Sequence, residues 1–243
     1  MKNTAIIIPT RLKAKRFPNK PLAKINNIPM IVHVLNRAKE SKVGEVFVAT
    51  SDSKIIEVVK KNGGTAIVTK EDHYSGSDRI HEVYVNYLKD STDLIINLQG
   101  DMPNIKSDSI SKLEKFMRND NCEIGTLASL IENKEELSNI NAVKVLTKEE
   151  LTNDNFVDAK DFFRIQHNLN NTNIYHHIGI YAFTNSALTK YVKLSRSRLE
   201  KERSLEQMRA MENNMSVKVA FSDSTPLGVD TERDLNKVAK EMK

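Results

Sequence analysis

Ala5-Ile6-Ile7-Ile8-Pro9-Thr10-Arg11-Leu12-Lys13-Ala14-Lys15-Arg16-Phe17-Pro18-Asn19-Lys20-Pro21-Leu22 is the stretch that decides the fold. The apolar run 5–8 reads as a short buried strand, and Pro9 stops it. The strand empties into a loop with five cations, Arg11, Lys13, Lys15, Arg16 and Lys20. A strand followed by a cationic loop is the order expected of a phosphate-handling site at the carboxyl edge of a parallel sheet. A solvated basic loop would have the same composition. Pro18 and Pro21 stiffen the loop, and stiffness is useful only where the cations must be aimed. Arginine offers a planar fork suited to phosphate oxygens, and lysine a point charge that can follow charge developing on a phosphoryl group. The Gly-x-x-x-x-Gly-Lys pattern is absent, so this is not a Walker P-loop.

Outward from that stretch, strand and helix signals alternate. Pro29 suits a first helical turn, and Met30, Ile31, Val34, Leu35 and Ala38 follow at helical spacing. Strands at 46–49, 66–68 and 94–98 alternate with a helix capped by Ser53 and ended by Gly63-Gly64, and with a helix over 78–88. This rhythm predicts an α/β fold: a mostly parallel sheet with helices on both faces. The second half is less regular. It holds strand signals at 124–131, 142–146, 178–183 and 217–221. A Ser197/Glu200 capping box opens a helix to about residue 213, and a last helix covers 231–242. Residues 152–175 are polar and read as an irregular excursion. No repeat or linker divides the chain, so a single domain over 1–243 is expected.

Composition narrows the class. The chain has 243 residues, 39% apolar and 28% charged, which suits a soluble globular protein. The net charge of +5 is spread along the sequence and favours anionic small molecules at least as much as nucleic acid. Aromatics at 6%, with no Trp, argue against a nucleic-acid surface. The lone Cys122 excludes an internal disulfide and a Cys-built metal site, and fits a reducing cytoplasm. No apolar run approaches the roughly 20 residues of a membrane helix, so no membrane insertion is expected.

Four further segments carry chemistry. The strand at 94–98 leads into Gln99-Gly100-Asp101, where Asp101 is either a Mg²⁺ anchor or a turn residue bonded to its own backbone. In Gly228-Val229-Asp230-Thr231, Asp230 is either a second metal carboxylate or a helix cap, a role Thr231 could equally fill. Ser75-Gly76-Ser77-Asp78-Arg79 suits either a base or phosphate approaching a helix entrance or an ordinary capped start. His176 and His177 point to opposite sides of a strand and cannot readily share a metal, which leaves substrate hydrogen bonding or a structural role.

Together these segments resemble the CMP-KDO synthetases, the cytidylyltransferases that activate 3-deoxy-manno-octulosonate (KDO). The resemblance rests on the opening stretch from Ile7 to Leu22 and on motifs that follow in the family's order. These are Pro29-Met30-Ile31-Val32-His33-Val34-Leu35, Val48-Ala49-Thr50, Ser75-Gly76-Ser77-Asp78-Arg79-Ile80 and Asn97-Leu98-Gln99-Gly100-Asp101, then Asn141-Ala142-Val143-Lys144-Val145, His177-Ile178-Gly179-Ile180-Tyr181, Leu205-Glu206-Gln207-Met208-Arg209 and Gly228-Val229-Asp230-Thr231. The resemblance implies a Rossmann-like nucleotidyltransferase fold with a smaller irregular part for sugar binding and dimerisation. It implies a homodimer that joins CTP to KDO with Mg²⁺, for lipopolysaccharide synthesis. Pro9, Thr10, Arg11, Arg16, Lys20, Thr50, Ser75 and Gly76 would bind the nucleotide. Lys20, Arg16 and Asp101 would be catalytic, with Lys20 stabilising the transition state. Asp101 and Asp230 would hold Mg²⁺, and Arg79, Gln99, His177, Tyr181, Glu206 and Gln207 would bind the sugar.

This chain departs from the family pattern at several points. Ala14 stands for Ser, Asn19 for Gly, and Asn27-Ile28-Pro29-Met30 for Gly-Lys-Pro-Met. Ala-Thr-Asp reads Ala49-Thr50-Ser51, with Asp52 one place late. Met102 replaces a Glu, and Ser197-Arg198-Leu199-Glu200 stands for Ser-Pro-Leu-Glu. The family's Tyr-Phe-Ser-Arg stretch has no counterpart between 145 and 175. These changes keep two alternatives open: a cytidylyltransferase for a related ulosonic acid (8-amino-KDO or a nonulosonic, sialic-type acid), or a nucleotidyltransferase with another base or sugar. A non-enzymatic nucleotide-binding module is the remaining reading.

Overall fold

A computed structural model describes residues 3–13, 16–133, 135–165 and 172–242. Ala14 and Lys15 of the basic loop, and residues 166–171 of the expected excursion, lie outside the described residues. The chain forms two compact units, Met1–Ser111 with Pro226–Lys243, and Lys112–Thr225.

The first unit opens with β1 (Thr4–Pro9), whose six residues are all buried. After the basic loop, β2 (Lys24–Ile25) and β3 (Ile28–Pro29) form a small hairpin. Its turn residues Asn26 and Asn27 both have positive φ, 48° and 68°, which Asn tolerates better than most side chains. Then come α1 (Met30–Glu40), β4 (Glu45–Thr50), α2 (Ser53–Lys61), β5 (Thr65–Val68), α3 (Gly76–Val83) and β6 (Leu94–Asn97). The strands lie in the order β5-β4-β1-β6, all parallel, in register Ile7↔Phe47 and Ile6↔Ile96. Ile6, Ile7 and Ile8 are fully buried, as expected of a central parallel strand covered on both faces. The helix expected over 78–88 is α-helical from Gly76 to Val83 and continues as a π-helical turn, Tyr84–Leu88. Asp52, not Ser53, occupies the cap position of α2.

The chain passes into the second unit within α4 (Ser107–Asn119), which is why no linker marks the division. There follow β7 (Ile124–Ser129), α5 (Glu135–Ser138), β8 (Lys144–Thr147), β9 (Phe156–Phe163), β10 (Ile174–Thr184), α6 (Asn185–Lys193), α7 (Arg198–Arg203), α8 (Met208–Glu212) and β11 (Val217–Phe221). Pairings run β10-β7-β11-β9-β8, and β8 also pairs with β10. Only β11–β7 is parallel. The parallel expectation therefore describes the first unit, while the second is mixed. Parallel neighbours need a crossover of a dozen or more residues, and the link from β8 to β9 is shorter than that.

Two expectations are corrected here. The excursion contains strand β9, in which Val157, Ala159 and Phe162 are buried. Asp158, Lys160 and Asp161 lie between them and interrupt the apolar period. The helix expected over 197–213 is broken at Ser204, whose φ of 53° ends α7, and α8 starts at Met208. The chain returns to the first unit at Pro226 and forms α9 (Glu232–Glu241), where Leu235 and Val238 pack with Ile25, Met30 and Val229.

Gly44 marks the tightest backbone approach, since a Cβ there would lie 1.9 Å from the carbonyl oxygen of Thr4. Gly44→Ala is expected to cost about 2–3 kcal/mol in urea unfolding, the range for a substitution that forces backbone shifts. Gly179→Ala, with nothing within 4 Å of the added carbon, is expected to cost less than about 1 kcal/mol.

Candidate active site

At the carboxyl end of β1 the first unit opens a cavity of about 760 Å³, the size of a small-molecule site. Pro9, Thr10, Arg11 and Lys20 line it from the basic loop, Ser75, Gly76 and Arg79 from α3 and its entrance, and Gln99 and Asp101 from the segment after β6. Parallel strands deliver these segments to one edge because every loop leaves its strand at the same end.

The basic loop has a fixed path. The Thr10 N–H donates to Ala49 O (3.0 Å) and prolongs the β1–β4 pairing by one bond. The Asn19 N–H donates to Leu12 O (3.1 Å) and closes the loop. Asn19 then takes the left-handed conformation, φ 59° and ψ 17°, just before the 3₁₀ turn Lys20–Leu22. Glycine is the usual residue in that conformation and Asn among the best substitutes, so the departure at 19 preserves the backbone.

Lys20 is the centre of the ion pairs. Its Nζ donates to Asp101 Oδ2 (2.9 Å) and to Val229 O (2.6 Å), and lies 3.5 Å from Asp230 Oδ1. Arg16 Nη2 pairs with Asp230 Oδ2 at 2.9 Å. The Val229 N–H donates back to Asp101 O (2.9 Å), which binds the two carboxylate-bearing segments together. The alternative reading of Asp230 as a cap is settled by Thr231, which caps α9 in a reciprocal box with Asp234. Asp230 is thereby left to face the cations. Two carboxylates converging on one ammonium also fit a divalent ion, which is commonly held by one or two protein carboxylates plus phosphate and water. Among the described residues no cluster of three or more His, Cys, Asp or Glu suits a metal.

Other expected residues take more specific places. Ser75 caps α3, accepting from the Asp78 N–H (3.2 Å) while its own N–H donates to Asp78 Oδ2 (3.0 Å). It lines the cavity as well, so both readings of that segment hold together. Arg79 is buried; its guanidinium donates to Thr69 Oγ1, Lys70 O and Glu71 O. Burial, and then the nearby Arg11, hold the Arg79 pKa below its ordinary value. Gln99 donates to Asn97 Oδ1 (3.1 Å). Thr50 is fully buried and not among the cavity-lining residues; its hydroxyl oxygen accepts from the Asp52 N–H (3.2 Å). Sequence reasoning missed His73, which lines the cavity and pairs through Nε2 with Glu82. Only its place two residues before Ser75 could have drawn attention to it.

The remaining four expected residues, His177, Tyr181, Glu206 and Gln207, belong to the second unit. Thr126 Oγ1 donates to Ile180 O (2.7 Å), so His177 Nε2 is the donor in the 3.0 Å contact with that hydroxyl. The ring of His177 meets Phe162 edge-on at 5.0 Å and Tyr181 at 5.5 Å. Burial, and secondarily His176, lower the His177 pKa to about 3, so the ring is neutral. Burial, then Glu206, pushes the Tyr181 phenol up. Glu206 Oε1 is buried without a hydrogen-bond partner among the described residues. Its backbone oxygen accepts from Tyr191 Oη (2.8 Å), and Gln207 is buried beside it. Arg209 forks onto Glu200 with bonds of 2.9 and 2.8 Å, and its guanidinium carbon lies 4.8 Å from the centroid of the Tyr191 ring. Burial raises the Cys122 thiol to about 12, which removes it as a nucleophile at neutral pH.

The cytidylyltransferase family profile matches residues 5–217. The chain belongs to the cytidylyltransferase family. It is 42% identical over 233 residues to the 3-deoxy-manno-octulosonate cytidylyltransferase of Rhodopseudomonas palustris, covering 96% of this chain and 94% of that one. The protein of the same description from Brucella canis is 42% identical over 235 residues, covering 96% and 93%. A solved structure of CMP:2-keto-3-deoxy-manno-octonic acid synthetase complexed with CTP aligns with a TM-score of 0.90 at 36% identity, covering 99% of this chain and 98% of that one. Whole-chain similarity and the ordered motifs thus agree on the family and on the nucleotidyltransferase fold of this cytidylyltransferase.

The neutral His177 carries a pH signature. Unfolded, it takes up a proton near pH 6.5; folded, it does so only near 3. Stability is therefore full above about 6.5 and falls as pH drops through that window. Relative to His177→Gln, the wild-type protein is expected to lose about 1.4 kcal/mol more per pH unit between pH 6 and 4, read from urea midpoints.

Proposed function

We propose that this cytidylyltransferase joins CTP to 3-deoxy-manno-octulosonate, releasing CMP-KDO and pyrophosphate. The observation that carries the reading is the convergence of Asp101 and Asp230 on Lys20 at the rim of the cavity. The anomeric hydroxyl of the sugar attacks the α-phosphorus of CTP. One P–O bond forms as the hydroxyl gives its proton to solvent, the α–β anhydride bond breaks, and pyrophosphate leaves. Catalysis of this kind needs positioning and charge neutralisation more than a covalent nucleophile. Arg11, Arg16 and Lys20 meet the triphosphate, and Lys20 meets charge that builds on the transferred group. Pro9, Thr10, Ser75 and Gly76 present backbone and small side chains to the nucleoside. Asp101 and Asp230 would hold Mg²⁺, which supplies charge neutralisation to the phosphates when bound. The pairs that Lys20 and Arg16 make with these carboxylates are those a magnesium nucleotide would exchange.

In the second unit, the unpaired Glu206 Oε1 offers an acceptor to a sugar hydroxyl, supported by Gln207, Tyr181 and the neutral His177. In the first unit, Arg79 and Gln99 supply donors at the cavity wall. The reading includes a homodimer acting in the cytoplasm on the route to lipopolysaccharide; light scattering on the purified protein reads the assembly.

Pyrophosphate release with CTP, Mg²⁺ and a panel of 3-deoxy-ulosonic acids tests the reaction, with ATP, GTP and UTP as controls. Release with CTP and KDO is expected. Release only with another acid would reassign the sugar, and silence with every pair would overturn the reading. Asp101→Asn and Asp230→Asn are each expected to lower kcat at least about a hundredfold. Their melting points should move by less than about 4 °C, since half-exposed ion pairs contribute about 1 kcal/mol or less. Chelation with EDTA should abolish turnover, and added Mg²⁺ should restore it.

A further inference from the structure

We propose that Asp52 is a positioning residue for the nucleotide loop, a role that rests on the cytidylyl-transfer reading above. Asp52 occupies the cap position of α2 with extended backbone, φ −88° and ψ 114°. An Asp there is among the strongest helix caps because its carboxylate can accept the free N–H groups of the first turn. This one makes no such bond; the Ile55 and Ile56 N–H groups reach the Asp52 backbone oxygen instead. Its Oδ2 accepts the Leu12 N–H at 2.9 Å, from forty residues earlier in the chain.

The backbone that carries the carboxylate is anchored in the sheet. The Asp52 N–H donates to the hydroxyl of the fully buried Thr50 (3.2 Å). On the far side Leu12 acts as a relay. Its N–H is fixed by Asp52, and its carbonyl accepts from the N–H of Asn19, the left-handed residue directly before Lys20. Arg11 immediately precedes Leu12. One backbone residue, clamped at both its polar groups, therefore sets the cations on both sides of the loop. The path runs from Thr50 in the sheet core through Asp52, Leu12 and Asn19 to Lys20.

Charge makes the placement informative. A carboxylate beside a polyanion site opposes binding. Asp52 shares a small recess with Arg11 and Lys13, and with the acidic Glu71 and Asp72, next to the cavity both cations line. A carboxylate that neither caps its helix nor helps an anion bind has its role in the bond it makes. An acidic acceptor makes a stronger bond to a backbone N–H than a neutral one.

Asp52→Ala and Asp52→Asn, compared with wild type, test the role. The Ala variant is expected to lose about ten- to a hundredfold in kcat/KM for CTP, what a charge-assisted bond to a backbone N–H is worth. KM for the sugar should stay close to wild type, and the urea midpoint should fall by no more than the loss of that one bond, which leaves the variant folded under assay conditions. The Asn variant keeps an acceptor oxygen and should recover to within about threefold. Ala and Asn equally impaired would overturn the proposal, because charge rather than the bond would then matter. An unaltered Ala variant would overturn it too, as would a fall in stability that accounts for the lost activity. Amide exchange at Leu12 and Asn19 reads the contact without substrate: fast exchange is expected in the Ala variant and protection in the other two, and equal protection in all three would overturn the role. A silent wild type would count against the cytidylyl-transfer reading, while an active wild type beside an indifferent Ala variant would count against Asp52 alone.

Discussion

Lys20 has a side chain only 14% exposed, and an ammonium that far from water must be surrounded by acceptors. Its acceptors are Asp101, 81 residues later, and Val229, 209 residues later, with the Asp230 carboxylate slightly farther off. Asp101 lies on one segment and Val229-Asp230 on another, so the requirement to solvate one cation ties these two and the Lys20 loop, three segments of the first unit, together at once. The apolar contacts of α9 with the β2–β3 hairpin and α1 make this possible, because they seat the Val229-Asp230 segment. Thr231 completes the arrangement by taking the capping duty that Asp230 could otherwise have filled. Partly buried ion pairs of this kind add little net stability, since desolvation offsets attraction. Their value here is positional: they hold Lys20, Arg16, Asp101 and Asp230 in register at the cavity rim.

The second unit follows a different logic. Its polar groups are buried more deeply and satisfied mostly by one another. Arg209 forks onto Glu200, Glu200 also caps α7 with Ser197, and Tyr191 contacts both Arg209 and the backbone of Glu206. A network this well satisfied is rigid. Glu206 Oε1 is the acceptor this network leaves without a hydrogen-bond partner among the described residues.

How legible all this was in the sequence depends on the range of the interaction that decided each feature. β1, α1, β4, β11 and α9 are written in local apolar period and were readable to within a residue or two. β9 was not, because Asp158, Lys160 and Asp161 break its alternation, and its pairing with β11 and β8 decides the matter. The break at Ser204 was hidden for a related reason: the 197–213 stretch keeps a helical apolar stripe through a left-handed residue that no composition signal marks. In the site, Lys20, Asp101 and Ser75 were legible because each sits at an element boundary with a chemical reason to be there. Asp52 and His73 were not, since their meaning lies in partners at Leu12 and Glu82 that only the folded chain supplies.

The departures from the family pattern sort by the same physical criterion. Asn19 and Asn27 replace glycines, yet both adopt the positive φ that glycine serves, so the backbone of the loop and hairpin is kept. Met102 removes a carboxylate, but it is buried away from solvent and the Asp101–Lys20 contact stands without it. Asp52 is displaced by one position relative to the pattern, and its carboxylate still reaches the loop. In the first unit, then, the changes keep a backbone conformation that glycine would serve or leave the ion pairs intact.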